Sequence, residues 1–181
     1  MCVEVRRIGL EVLIPLIEGK IENQEQVNIV IAGIRCSGKT ALASKLKEVF
    51  SDRYEVAIIS QDCYLKNLVE IPKNKKGYLF ESWTAFFTSE FVYNIDKLLK
   101  DGISSVPIYD FEANSRTNKR TTVKVGKINI FEGLHAISLL NYLNNTIKVF
   151  LDTEGYVEPV NEKYILYQKA KADIVLNLGG D

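Results

Sequence analysis

The octapeptide Gly33-Ile34-Arg35-Cys36-Ser37-Gly38-Lys39-Thr40 constrains this chain more than any other stretch. It fits the spacing G-x-x-x-x-G-K-[ST], in which a glycine-bearing turn joins a strand to a helix. Its flanks suit that reading. Residues 27–32 read as a buried strand and residues 39–50 as a helix. Backbone N–H groups of such a turn face phosphate oxygens, and the helix N-terminus adds its partial positive charge. Gly33 and Gly38 can take turn conformations that a Cβ would hinder. Lys39 can reach the β- and γ-phosphates, and the Thr40 hydroxyl can ligate Mg²⁺. All eight residues are therefore expected to contact a nucleoside triphosphate, ATP or GTP, carried with Mg²⁺.

At 181 residues the chain has room for one α/β domain with a substantial core. Its net charge is zero, so neither nucleic acid nor an anionic membrane is an expected partner. No apolar run reaches transmembrane length, and the N-terminal residues lack a secretory pattern. The three cysteines, Cys2, Cys36 and Cys63, are odd in number and have no metal-type spacing. They read as free thiols of a reducing, cytoplasmic protein. A homo-oligomer is compatible with the composition.

Residues 3–20 have near-helical apolar spacing with Pro15 as a kink or break, and 21–26 form a polar connector. This divides the chain into an N-terminal helical extension, 1–26, and a main domain, 27–181. In the latter, residues 54–60, 106–111, 121–125, 128–131, 147–151 and 173–177 read as strands. Residues 83–100 and 158–171 read as helices, and 66–78 and 114–119 as polar loops. Such alternation predicts a mainly parallel sheet with helices on both faces, whose ligands bind at the carboxyl ends of the strands. Asp62, Asp110 and Glu132 lie just past strands and are expected near the phosphate loop. Phosphoryl transfer needs hard oxygen ligands for a metal and a group to take the acceptor's proton. Glu132 with Thr40 suits the first role. Asp62 suits the second, or a second metal contact. His135, the only histidine, reads as a local hydrogen-bonding residue.

Several ordered blocks resemble the uridine kinase family of P-loop kinases, kin of phosphoribulokinase and pantothenate kinase. Besides the octapeptide they are Ser60-Gln61-Asp62-Cys63-Tyr64, Val106-Pro107-Ile108-Tyr109-Asp110-Phe111 with Ser115-Arg116, Phe131-Glu132-Gly133-Leu134, Phe150-Leu151-Asp152-Thr153 and Lys171-Ala172-Asp173-Ile174-Val175-Leu176. The resemblance implies a three-layer P-loop NTPase sandwich and an ATP-dependent kinase acting on a nucleoside-like acceptor. By it, Asp62 is the catalytic base beside the catalytic Lys39, and Thr40 and Glu132 serve Mg²⁺. Glu81, Tyr109, Asn114 and Arg116 would then face the acceptor. Glu81 stands where the family has an Asp for the ribose hydroxyls, and Asn114 where it has a base-contacting His. Leu65 replaces an aromatic. The family's Arg-rich lid, expected after Thr153, reads as deleted, and no Arg follows Arg120. A nucleotide-binding relative without efficient transfer, or a slow NTPase, is the alternative.

Overall fold

The computed structural model describes residues 7–75, 77–152 and 162–177. In chain order the elements are α1 (Arg7–Asn23), β1 (Val27–Gly33), α2 (Lys39–Phe50), β2 (Val56–Ser60), β3 (Lys73–Asn74), β4 (Gly77–Tyr78), α3 (Thr88–Asp101), β5 (Ile103–Asp110), β6 (Ser115–Lys124), β7 (Ile128–Glu132), α4 (Ala136–Leu139), β8 (Thr146–Asp152), α5 (Glu162–Lys171) and β9 (Ile174–Asn177). Short 3₁₀ turns at Gln61–Tyr64, Leu68–Glu70 and Trp83–Ala85 lie between β2 and α3.

The central sheet has the order β2-β7-β1-β8-β9, and every pairing in it is parallel. Successive side chains of a strand point to opposite faces. Along β1, Ile29 and Ile31 therefore enter one core, and Val30 and Ala32 the other. The first core packs under α1 and α2 through Leu13, Ile17, Leu42, Leu46 and Phe50. The second packs under α3 and α4 through Phe91, Ile95, Leu98, Ala136 and Ile137. The result is an α/β three-layer sandwich with helices on both faces, as the sequence predicts.

Several local readings change. Helix α1 runs through Pro15, which lies on its exposed face, and continues to Asn23. Its buried stripe is Leu13, Ile17 and Ile21, while Val12 and Leu16 are exposed. The helix read over 83–100 is two pieces. A 3₁₀ turn at Trp83–Ala85 precedes extended backbone at Phe86, and α3 starts at Thr88. The break is held by pairing between Leu65 and Phe86 and by the Phe87 N–H donating to Tyr64 O. The strand read at 106–111 leaves the main sheet. As β5 it pairs antiparallel with β6 in a separate ribbon, and β6 takes in residues read as polar loop. The segment that follows Thr153, where the lid reads as deleted, lies outside the described residues, as do Cys2 and residues 178–181. Among the described residues, no helix is long and apolar enough to cross a membrane.

Candidate active site

Strand β1 is buried along its whole length and delivers the chain to the loop at Gly33. A Cβ on Gly33 would stand 2.6 Å from Leu151 O and 2.7 Å from Ser37 Oγ, so only glycine lets the loop press this closely on β8. Cys36 (φ 59°) and Gly38 (φ 88°) are left-handed and turn the backbone into α2. For Cys36, a non-glycine residue, that conformation is strained, and such strain gathers at ligand sites. Gly38 caps α2 without any side-chain hydrogen bond. The first-turn N–H groups of α2 are thus left for an anion. Lys39 is buried and its Nζ donates to Ile34 O at 2.7 Å, which folds the side chain back over the loop. Burial lowers its pKa, against the raising influence of Asp62 and Glu132.

The adjacency of β2, β7 and β1 explains why three distant segments meet. In register, Glu132 sits beside both Ile31 and Ser60. Glu132 is fully buried and its Oε1 accepts from the Thr40 hydroxyl at 3.1 Å, while Oε2 has no partner. Burial, and then the neighbouring Asp62 charge, raise its pKa. Asp62 is the second residue of the 3₁₀ turn after β2, where its N–H donates to Ser60 Oγ at 3.2 Å. Burial raises its pKa too, and Lys39 and Arg35 oppose the shift. An orphaned, buried carboxylate oxygen beside a hydroxyl is an incomplete set of hard ligands, which fits Mg²⁺. Among the described residues no three His, Cys, Asp or Glu side chains are grouped to hold a metal. A magnesium ion here would complete its shell with phosphate oxygens and water.

A cavity of about 230 Å³ opens beside these groups. Arg35, Cys36, Lys39 and Asp62 line one part of its wall. Phe80, Phe86, Tyr109 and Phe111 supply aromatic surface, with Leu65 and Leu134, and Glu81 and Asn114 supply polar groups. Tyr109 is fixed by its hydroxyl donating to Lys66 O at 3.2 Å and by its ring against Phe111. Asn114, left-handed at φ 48°, closes the β5–β6 turn, and its carbonyl accepts from Leu68 N–H. Of the expected acceptor-side residues, Glu81, Tyr109 and Asn114 thus line one cavity with Lys39 and Asp62. Arg116 does not line it. Its guanidinium pairs with Glu90 at 2.9 Å and lies over the Phe87 ring. Asp110 is also elsewhere, accepting from the backbone N–H groups of Glu112 and Ala113.

Sequence reasoning missed the support behind this wall. Gln61, fully buried, accepts from the His135 N–H through Oε1 at 2.9 Å. His135 stacks on Trp83 with ring centroids 4.4 Å apart, and its Nε2 lies 3.0 Å from Glu81 O. A carbonyl only accepts, so Nε2 carries a proton, and burial, which lowers the pKa from 6.5 to about 4, keeps the ring neutral near pH 7. Gln168 of α5, buried, donates to Leu134 O at 2.9 Å and so joins α5 to the same wall. No short-range motif announces these contacts, which join residues 34 to 74 positions apart in the chain.

Residues 28–175 match the model of the Phosphoribulokinase / Uridine kinase family. A uridine kinase of Mycoplasma genitalium is 33% identical over 141 residues, covering 74% of this chain and 63% of that protein. A uridine kinase of Clostridium novyi is 29% identical over 184 residues, covering 84% and 87%. The alignment with the Mycoplasma protein thus spans less than two thirds of that relative's length. Among solved structures, a possible uridine kinase from Bacillus stearothermophilus superposes with a TM-score of 0.66 at 15% identity, covering 91% of this chain and 99% of that one. At that identity the superposition speaks for the fold alone. The family match spans most of the chain and includes β1 from Asn28 on, the phosphate loop, Asp62 and Glu132. The chain belongs to the phosphoribulokinase/uridine kinase family.

Proposed function

We propose that the protein is an ATP-dependent small-molecule kinase that transfers the γ-phosphoryl group of ATP to a hydroxyl of a nucleoside-like acceptor. The observation that carries this reading is the position of Asp62. It is a half-buried carboxylate of raised proton affinity, in the wall of one cavity with the phosphate-loop Lys39 and four aromatic rings. A base works best when its pKa lies near the operating pH, and burial moves Asp62 in that direction. The acceptor oxygen forms a new bond to the γ-phosphorus as the bond to the β,γ-bridging oxygen breaks. ADP leaves, and the hydroxyl proton passes to Asp62. Lys39 binds the phosphates, and the uncapped amides of α2 orient them. Thr40 and Glu132 would hold Mg²⁺, which when bound neutralises phosphate charge. The aromatic surface suits a base, and Glu81 and Asn114 offer polar partners for sugar or base edges. Uridine or cytidine is the favoured acceptor by resemblance to the family alone, the relatives being named uridine kinases.

One observation favours a second reading, in which nucleotide binds with little or no transfer. Only nine residues separate β8 from α5, and none is an arginine. An open site admits water, and a nucleotide-binding module or slow NTPase would result. ADP release from MgATP and GDP release from MgGTP, measured with a panel of nucleosides, pantothenate and ribulose 5-phosphate, separate the readings. Saturable stimulation by one acceptor supports the kinase. Nucleotide binding with no acceptor dependence supports the alternative.

A further inference from the structure

A phosphoryl group in flight spreads negative charge over three equatorial oxygens, and an arginine on that charge is a large part of the rate of many phosphoryl-transfer enzymes. The described arginines can be sorted by what already holds them. Arg53 pairs with Glu18 at 2.7 Å, joining α2's end to α1. Arg116 and Arg120 share Glu90, each at 2.9 Å, and Arg120 further bonds Ser105. Arg35 makes no ion pair with another described residue, and it alone of these four lines the cavity. Its guanidinium carbon sits 5.4 Å from the Phe80 ring centroid, which holds the plane without using its N–H donors. It also lies close enough to Asp62 for its charge to oppose the rise in that residue's pKa.

We propose that Arg35, carried within the phosphate loop itself, is the arginine that stabilises the transferring phosphoryl group. The inference rests on the kinase reading and assigns one residue of that site. The reacting phosphorus must lie within reach of Lys39 on one side and within one hydroxyl's span of Asp62 on the other. Arg35 lines the same wall as both. A planar fork can bond two equatorial oxygens at once, which a lysine cannot do. Arg35 also weakens Asp62 as a base, so its net benefit is the surplus of charge stabilisation over that loss. Because the side chain is exposed, water screens it more than a sealed arginine. The expected gain is about 10²–10³-fold, below the ~10³–10⁵-fold of enclosed arginine fingers.

Arg35→Gln, which keeps contact with Phe80, and Arg35→Ala test this in the full chain. Steady-state kinetics should show kcat for acceptor-dependent ADP release lowered about 10²–10³-fold, with the acceptor KM and the MgATP affinity within about threefold of wild type. Arg35→Lys should recover only a minor part. If both neutral variants keep kcat within about threefold of wild type, the assignment is wrong. Wild type showing no acceptor-dependent release would defeat the kinase reading separately. Arg35 is then judged by calorimetry with MgADP and aluminium fluoride, a planar phosphoryl mimic. Binding at least about tenfold weaker in Arg35→Gln, with MgADP alone unchanged, upholds the role, and equal binding overturns it.

Discussion

The imidazole of His135 should make this fold acid-labile in a defined window. The ring is 1% exposed, stacked on Trp83 and met edge-on by Phe86. Nε2 is committed to Glu81 O, and Nδ1 is buried with no partner. A second proton would place a cation and an unpaired N–H inside the wall, so burial lowers the pKa from 6.5 to about 4. Between those values the unfolded chain binds a proton that the folded one excludes. Stability from this group is therefore full above pH 6.5 and lost as pH falls. Linkage over the 6.5-to-4 interval gives a loss of about 2 kcal/mol at pH 5 and about 3 kcal/mol by pH 4. Asp62 and Glu132 act in the opposite sense, because their raised pKa values let the folded state hold extra protons as pH falls. The comparison must therefore be with His135→Gln, which cannot titrate but keeps an N–H for Glu81 O. Urea unfolding followed by Trp83, the single tryptophan, gives the assay. With m near ~2 kcal/mol/M, the wild-type midpoint should fall about 1 M further than the variant's between pH 7 and pH 5. Parallel midpoints over that range would refute the reasoning.

Glu132→Gln removes a buried charge of raised pKa and should stabilise the ligand-free protein, seen as a higher Tm near pH 7. The same variant should lose most of the thermal shift from MgATP, which at 100-fold saturation is about 2.7 kcal/mol, or roughly 5–10 °C for a chain this size. Gly33→Ala forces a Cβ against Leu151 O and Ser37 Oγ, and should cost about 1–3 kcal/mol by denaturant titration while weakening ATP binding. The Cys36 thiol, exposed and in the cavity wall, should alkylate before Cys63, whose pKa is pushed up to about 11 by burial. MgATP should slow Cys36 labelling, read by mass spectrometry, and unchanged labelling would place the nucleotide away from this loop.

Much of this architecture is legible in residue order because its signals are local. A strand, a glycine turn and a helix start fall within 24 contiguous residues, Val27 to Phe50, and the register of β2, β7 and β1 then carries Asp62 and Glu132 to the same end of the sheet. What resisted reading depends on contacts across the chain. The ribbon of β5 and β6 is half-exposed and rich in Ser, Thr, Lys and Arg, so residues 115–120 of β6 lack the alternation that makes 121–125 legible as a strand. Their hydrogen bonds with β5, and the left-handed turn at Asn114, make them part of one. The same ribbon takes Asp110 out of the site while setting Tyr109 into its wall. Phe86 adjoins Phe87, whose four-residue spacing to Phe91 reads as helix, and the pairing of Phe86 with Leu65 holds it extended in the cavity wall. Arg116 follows a site-bearing strand in sequence, but Glu90 on α3 claims it. Charge pairing of this kind has no short-range signature.

The central claim is that Asp62 takes the acceptor's proton in a cavity whose other end binds ATP. Acceptor-dependent ADP release by Asp62→Asn, beside calorimetric MgATP binding by the same variant, tests it most directly. Asparagine keeps the shape and the backbone bond to Ser60 but cannot accept the proton. The account predicts a fall in kcat of about 10²–10⁴-fold with MgATP affinity little changed. Acceptor-dependent release retained near the wild-type rate would contradict it.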